Sequence, residues 1–446
     1  MIKRNITWLL VILLVAFVLR LAFLGSKSVW LDEAFSVWQA NRTPAEIWNA
    51  TFDNHPPMYY LLLQAWMNLG KSEAVIRLPS VLASMVGLAL LYTLARRLFD
   101  RKVALVAVTL LALAPIDLWY AQEARMVIFV VPAALLIALG LLEMGWKGAG
   151  LITAGLAAGL YFDYTIVPLW VILSSIWFVS WWKDGRPAPQ LMTWFLASLL
   201  AWLIFMPLWP HLHLVASRMS DIFIFANLQD ITGLPGFGVW LPVIALLLLA
   251  VGTAAFAHWI PDILDRPGIG QIVVISSVIV FILLTALIPI PRLYSVKRLV
   301  VTGWPFVILG LAWLTLSMFR KQKLVFFGLV AFSLITSLIT LLAVPKDDWR
   351  GAVALINQKA GADDVVWLYP FSGNLPYNYY EPTVSPRFSF ELLDAPPETN
   401  IWHIAERQPN RPIPGSEAEI WLDANRKLLE VIPLYRLEVR HYSSTE

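Results

Sequence analysis

Long apolar runs fill most of this chain, and the polar residues collect in the gaps between them. Runs at about 5 to 24, 79 to 95, 103 to 117, 126 to 144, 149 to 162, 165 to 182, 190 to 209, 238 to 257, 270 to 290, 299 to 318 and 323 to 343 are each read as a transmembrane helix. That makes about eleven spans, of which the third and fifth are short. Between the first two lies a long loop, 25–78, with helical pieces of its own. Ala45 to Ala50 follows the Thr43-Pro44 start signal, and Met58 to Leu69 follows Pro56-Pro57. The second piece is apolar yet too short to span, so it is expected to lie in the membrane plane.

After Val344 the pattern turns polar and the long runs stop. Trp349 to Lys359 reads as a helix. Asp364 to Tyr369, Asn400 to Ala405 and Leu437 to Tyr442 read as strands, and Ser416 to Leu429 as a further helical stretch. The expected fold is therefore an all-α membrane domain over 1–344, with the outer loop 25–78, followed by a small soluble α/β domain over 345–446.

Composition agrees: 59% of the 446 residues are hydrophobic, only 14% are charged, and there are 22 tryptophans, more apolar side chain than a soluble core of this length requires. A net charge of +3, spread in short clusters, excludes nucleic acid as a partner. The absence of cysteine excludes disulfides and thiolate metal sites. Lys3 and Arg4 precede the first run and no small-residue cleavage site follows it, so it is read as a retained helix. With Met1 inside, the inner loops receive Arg96, Arg97, Arg101 and Lys102, then Lys147, then Lys183 and Arg186, then Arg266, then Arg320, Lys321 and Lys323. The outer segments receive Asp32, Glu33, Asp53, Asp117, Glu123, Asp163 and Asp221. This asymmetry predicts a cytoplasmic N-terminus, and an odd number of spans puts the C-terminal domain outside.

Candidate chemistry sits in the outer segments. Ser28-Val-Trp-Leu-Asp-Glu-Ala-Phe35 sets Asp32 and Glu33 just after the first run, where water keeps a carboxylate ionised beside the lipid layer. Asp53-Asn-His-Pro-Pro57 fixes His55 ahead of the in-plane helix, which carries Tyr59. Ala114 to Met126 packs Asp117, Tyr120, Gln122, Glu123 and Arg125 into one turn, and Phe162-Asp-Tyr-Thr165 adds Asp163. His211, His213 and Arg218 have a spacing compatible with metal binding but common by chance. Arg292, Lys297 and Arg298 concentrate positive charge on the outer side, which calls for an anionic partner such as a phosphate ester or lipid headgroups.

The order of these motifs resembles that of polyprenyl-phosphate-sugar glycosyltransferases of the GT-C fold, in particular the family-39 enzymes, protein O-mannosyltransferases and the lipid A aminoarabinose transferase. The motifs are the acidic pair after the first span, His-Pro-Pro before a half-buried helix, and Tyr-Ala-Gln-Glu-Ala-Arg after the third span. The likeness covers about residues 1–343, and Lys346-Asp-Asp-Trp-Arg350 resembles the start of the outer domain of many prokaryotic members. It implies an inverting transfer of a sugar from a polyprenyl-phosphate donor to a hydroxyl of an unidentified protein, lipid or polysaccharide, on the outer membrane face. It also implies Asp32 as catalytic base with Glu33 beside it, Glu123 as a second catalytic acid, and Arg292, Lys297 and Arg298 on the donor phosphate. His55, Tyr59, Asp117, Tyr120, Gln122, Arg125 and Asp163 complete the expected substrate site. A divalent metal stays open, with His55 and Glu123 as candidate ligands. The rival reading is a transporter or flippase of lipid-linked sugars. Transporters carry ionisable groups near the bilayer midplane, whereas these spans read as nearly free of charge.

Overall fold

The structure is a computed structural model and describes residues 2–50, 53–143, 145–183, 185, 187–222, 294–317, 321–387, 399–407 and 417–444. In chain order its helices are α1 (Ile2–Leu21), α2 (Leu31–Ala40), α3 (Pro44–Trp48), α4 (Met58–Trp66), α5 (Glu73–Leu98), α6 (Arg101–Ala112), α7 (Pro115–Ala121), α8 (Val127–Leu142), α9 (Gly145–Phe162), α10 (Ile166–Lys183), α11 (Ala188–Phe205), α12 (Trp209–Ile222), α13 (Tyr294–Ser317), α14 (Gln322–Leu342), α15 (Trp349–Lys359), α16 (Asn374–Tyr379) and α17 (Glu417–Asn425). The chain divides into two compact units. One comprises Met1–Ala22, Trp48–Tyr59 and Leu78–Thr340, the other Phe23–Ile47, Tyr60–Arg77 and Leu341–Glu446. Most of the long loop read between the first two spans thus groups with the C-terminal region.

In the first unit the helices are built from apolar residues on most faces. α8 packs against α9 and α10, α11 lies against α9, and α13 against α6 and α8. Glycine lets α8 and α9 approach closely: a Cβ at Gly155 would stand 2.6 Å from the Ala133 carbonyl oxygen. Five helical stretches among the described residues are long and apolar enough to cross a membrane: α5, α10, Ala188–Val215, Val300–Ser317 of α13, and α14. The pair α6 and α7 makes a sixth if taken as one bent span. The apolar stretches Ile6–Leu21 of α1 and Val127–Leu142 of α8 are shorter. On α14, Phe332 and Leu342 are each 66% exposed, which suits lipid and not water. The chain is therefore a multi-pass helical membrane protein, but the described residues carry fewer spans than the eleven expected. The runs 238–257 and 270–290 lie outside the described residues. The run 103–117 is not one straight helix either: Pro115 opens α7 after a 59° bend, because proline cannot donate to the turn before it.

In the second unit five strands form one mixed sheet: β1 (Val365–Tyr369), β2 (Pro386–Arg387), β3 (Ile401–Glu406), β4 (Leu428–Leu434) and β5 (Leu437–Tyr442), in the order β2-β1-β3-β5-β4. β1 pairs parallel with β2 and β3, while β5 runs antiparallel to β3 and β4. Side chains alternate between two faces. Val366, Leu368, Trp402, Ile404 and Val439 pack with Trp349, Val353 and Ile356 of α15. Val365, Trp367, Ile401 and Tyr442 pack with Leu422 of α17. The helix expected to run from 416 to 429 stops at Asn425, and Leu428–Leu434 is a strand. Its ladder to β5, with Ile432 and Leu434 packed against the core, overrides the local helical pattern.

Candidate functional site

Asp32 and Glu33 do not end the first helix. α1 stops at Leu21, and the pair occupies the first turn of α2, where the unsatisfied amides favour negative charge. Their surroundings differ. Glu33 is fully buried and takes Arg77 side-on, from Nε at 2.7 Å and Nη2 at 2.8 Å, with Lys346 Nζ 3.0 Å from its Oε2. Two cations neutralise it inside the protein. Asp32 is half-buried.

In the first unit a second set of polar groups gathers. Arg125 donates from Nη2 to Nε2 of His55 at 3.1 Å; a guanidinium has no lone pair to offer, so Nε2 must be the acceptor. The Asp53 Oδ1 accepts the His55 backbone N–H at 3.1 Å, and the Asp53 carbonyl accepts His211 Nε2–H at 3.1 Å. A neutral His211 then has its lone pair on Nδ1, which lies 2.7 Å from the Tyr164 hydroxyl. Burial first, and then the carboxylates of Asp163 and Asp53, hold the Tyr164 pKa above its ordinary value, so the phenol stays protonated and donates to His211. Asp163 is buried and accepts the Thr165 N–H at 2.9 Å. Glu123 is buried in the turn after α7.

Other expected site residues have partners that hold the fold. Asp117 is buried against Arg20, whose Nη2 lies 2.5 Å from Oδ2, and also accepts Ser84 Oγ at 2.6 Å. Arg20 also donates to the Ala112 carbonyl at 3.1 Å, so the bend between α6 and α7 is pinned to α1. Arg20 is a charge within the first apolar run, in the last turn of α1. Gln122 donates to the carbonyls of Arg20 at 3.0 Å and Ala22 at 2.7 Å, capping the end of α1. Tyr59 is buried, its ring edge-on to Phe129 at 5.6 Å, and Tyr120 is half-buried against the helical core. Arg292 lies outside the described residues. Lys297 and Arg298 stand in the first turns of α13, which begins at Tyr294, ahead of the apolar run read from 299.

Among the described residues no three histidine, aspartate or glutamate side chains gather to hold a metal ion. His55 turns its Nε2 to Arg125, a poor arrangement for a ligand. Arg20, Arg77, Tyr164, Arg350 and Tyr380 were not singled out as site residues. For Arg20 there was a signal, a lone charge in an apolar run.

Residues 54–211 match a family described as dolichyl-phosphate-mannose-protein mannosyltransferase. Among solved structures the fold is similar to that of the Archaeoglobus fulgidus oligosaccharyltransferase in complex with Zn and sulfate, at 14% identity and a TM-score of 0.51, over 90% of this chain and 68% of that one. ArnT from Cupriavidus metallidurans bound to undecaprenyl phosphate matches at 14% identity and a TM-score of 0.46, over 98% of each chain. No curated protein matches the chain.

Proposed function

We propose that this chain is a membrane glycosyltransferase that moves a sugar from a polyprenyl-phosphate donor to an acceptor hydroxyl on the outer membrane face, with Asp32 as general base. The family match over 54–211 supports the donor class. The observation that supports the residue assignment is a contrast in exposure: Glu33 is fully buried beside Arg77 and Lys346, whereas Asp32 is half-buried and so can be reached by an acceptor.

In the proposed step the Asp32 carboxylate takes the proton of the acceptor hydroxyl as its oxygen bonds to the anomeric carbon. The bond from that carbon to the phosphate oxygen breaks, the electron pair leaves with the lipid phosphate, and in-line attack inverts the centre. Phosphate is a good leaving group and needs charge stabilisation more than an acid. Lys297 and Arg298 of α13, with Arg292, are proposed for that charge, and Glu123, His55 and Arg125 for holding the sugar. Glu33, Asp117 and Gln122 are assigned to the scaffold. The full span count is proposed as eleven, with the N-terminus cytoplasmic.

The test follows donor cleavage with a panel of polyprenyl-phosphate sugars, mannose first, water serving as acceptor. Asp32→Asn should lower turnover about a hundredfold to ten-thousandfold at unchanged donor binding, the usual cost of losing a general base. Full activity in Asp32→Asn would refute the assignment. Movement of intact lipid-linked sugar across the membrane without cleavage would favour the flippase instead.

A further inference from the structure

The stretch that leads into α2 is bonded far more densely than a connector needs. Five successive carbonyls, from Leu24 to Ser28, accept from two guanidinium groups. Arg77 takes those of Leu24 at 2.8 Å, Lys27 at 2.9 Å and Ser28 at 3.0 Å. Arg350, from the C-terminal region, takes those of Gly25 at 2.9 Å and Ser26 at 3.3 Å while its Nη2 lies 2.6 Å from Glu73 Oε1. The next amide, Val29 N–H, donates to the Tyr380 hydroxyl at 2.7 Å, which in turn donates to Glu73 Oε1 at 3.0 Å. Ser28 Oγ accepts the Arg350 backbone N–H at 3.0 Å.

The start of α2 is not fixed by a side-chain cap. Its N-cap residue is Trp30, whose side chain makes no capping hydrogen bond, so contacts from outside the helix carry more of the work of placing the first turn. The C-terminal region grips both sides of that start. Lys346 lies 5.9 Å from the Trp30 ring and 3.0 Å from Glu33, one residue to either side of Leu31 and Asp32, and α16 packs against α2.

We propose that the segment from Lys346 to Tyr380 is a clamp that positions Asp32 for proton abstraction, with Arg350 and Tyr380 as positioning residues; this rests on Asp32 being the base. A general base must stand within hydrogen-bond reach of the proton it takes, and a misplacement of about 1 Å can cost about a hundredfold in rate. The clamp gives the C-terminal region a part in the reaction without placing any of its side chains on the substrate.

The experiment is a double-mutant cycle with Tyr380→Phe, which keeps the ring and deletes only the hydroxyl that receives Val29 N–H. Cleavage of polyprenyl-phosphate mannose and of the wider sugar panel is followed as release of polyprenyl phosphate. In the native background Tyr380→Phe should lower kcat roughly tenfold or more while donor KM holds, and hydrogen exchange at Val29 should quicken. In the Asp32→Asn background the same change should cost nothing further, because a group that acts through Asp32 has nothing left to position. Arg350→Lys, which keeps the charge near Glu73 but loses the fork on the carbonyls, repeats the test should the first variant fold poorly. An equal loss in both backgrounds, or no loss in the native one, overturns the clamp while leaving Asp32 as base. Full turnover by Asp32→Asn, or an inactive native chain across the panel, overturns the underlying reading and the clamp with it.

Discussion

Neighbouring carboxylates can have opposite fates when one helix turn separates their directions, and Asp32 and Glu33 are about 100° apart around α2. Glu33 meets the guanidinium of a residue 44 positions away, and no local pattern announces such a pairing. The local pattern therefore marks the acidic pair and the family resemblance singles out Asp32, but neither announces that Glu33 is bound by Arg77. Replacing Glu33 by Gln leaves Arg77 and Lys346 as buried cations with a weaker acceptor, and breaking a buried pair this way costs roughly 3–5 kcal/mol of stability. Glu33→Gln should thus lower the melting temperature with donor cleavage by the folded fraction retained, the reverse of Asp32→Asn. Glu406 at the end of β3 offers a second test at this scale. Burial, and then the charge of Asp347, push its pKa up to about 7 from an ordinary 4.5. Between those values the folded chain keeps a proton that the unfolded chain has released, so its contribution falls as pH rises through that window. Raising the pH from 5 to 7.5 should lower the melting point of the native protein relative to Glu406→Gln. Parallel shifts in the two proteins would mean that the buried carboxyl is not held protonated.

At the scale of elements the sequence was most legible where a segment answers to one period alone. The helix Trp349–Lys359 and the strand Leu437–Tyr442 stand with the limits read from the pattern. α2 was missed because its acidic first turn follows an aromatic residue and not a capping one, and β4 because its partner β5 and not its own composition makes it a strand. The close contact of α8 with α9 was also beyond reading, since an apolar run does not say which glycine faces a neighbour. Two glycines on α9 make a matched pair for testing it. A methyl at Gly155 would press on the Ala133 carbonyl oxygen, whereas Gly150 has nothing within 4 Å of a built Cβ. Gly155→Ala should destabilise by about 1–3 kcal/mol, the usual cost of overpacking. Gly150→Ala should leave stability equal or raised by about 0.4–1 kcal/mol, because it restricts only the unfolded chain. Thermal melts in one detergent decide between them, and equal effects would mean that the α8–α9 contact is not tight.

For the whole molecule, the long-range pairs explain why the domain boundary read from composition, near residue 344, is not the boundary of contacts. Residues 23–47 and 60–77 belong by contact with the C-terminal region, because Arg77, Lys346, Arg350 and Tyr380 join them. For orientation in the membrane the expectation comes from charge instead. Arg96, Arg97, Arg101 and Lys102 lie at the junction of α5 and α6, Lys147 in the first turn of α9, Lys183 at the end of α10, and Lys321 and Lys323 around the start of α14. Basic residues flanking short loops remain on the cytoplasmic side, so these junctions should face inward and the C-terminal sheet outward. The chain contains no cysteine, which makes single introduced cysteines reporters without background. Lys183 and Asp363 are both exposed, so neither substitution disturbs a packed site. In intact cells a membrane-impermeant maleimide should label Asp363→Cys and reach Lys183→Cys only after the membrane is opened. Labelling of Lys183→Cys in intact cells with Asp363→Cys protected would invert the protein, place Asp32 on the cytoplasmic leaflet, and require donors displayed on that side.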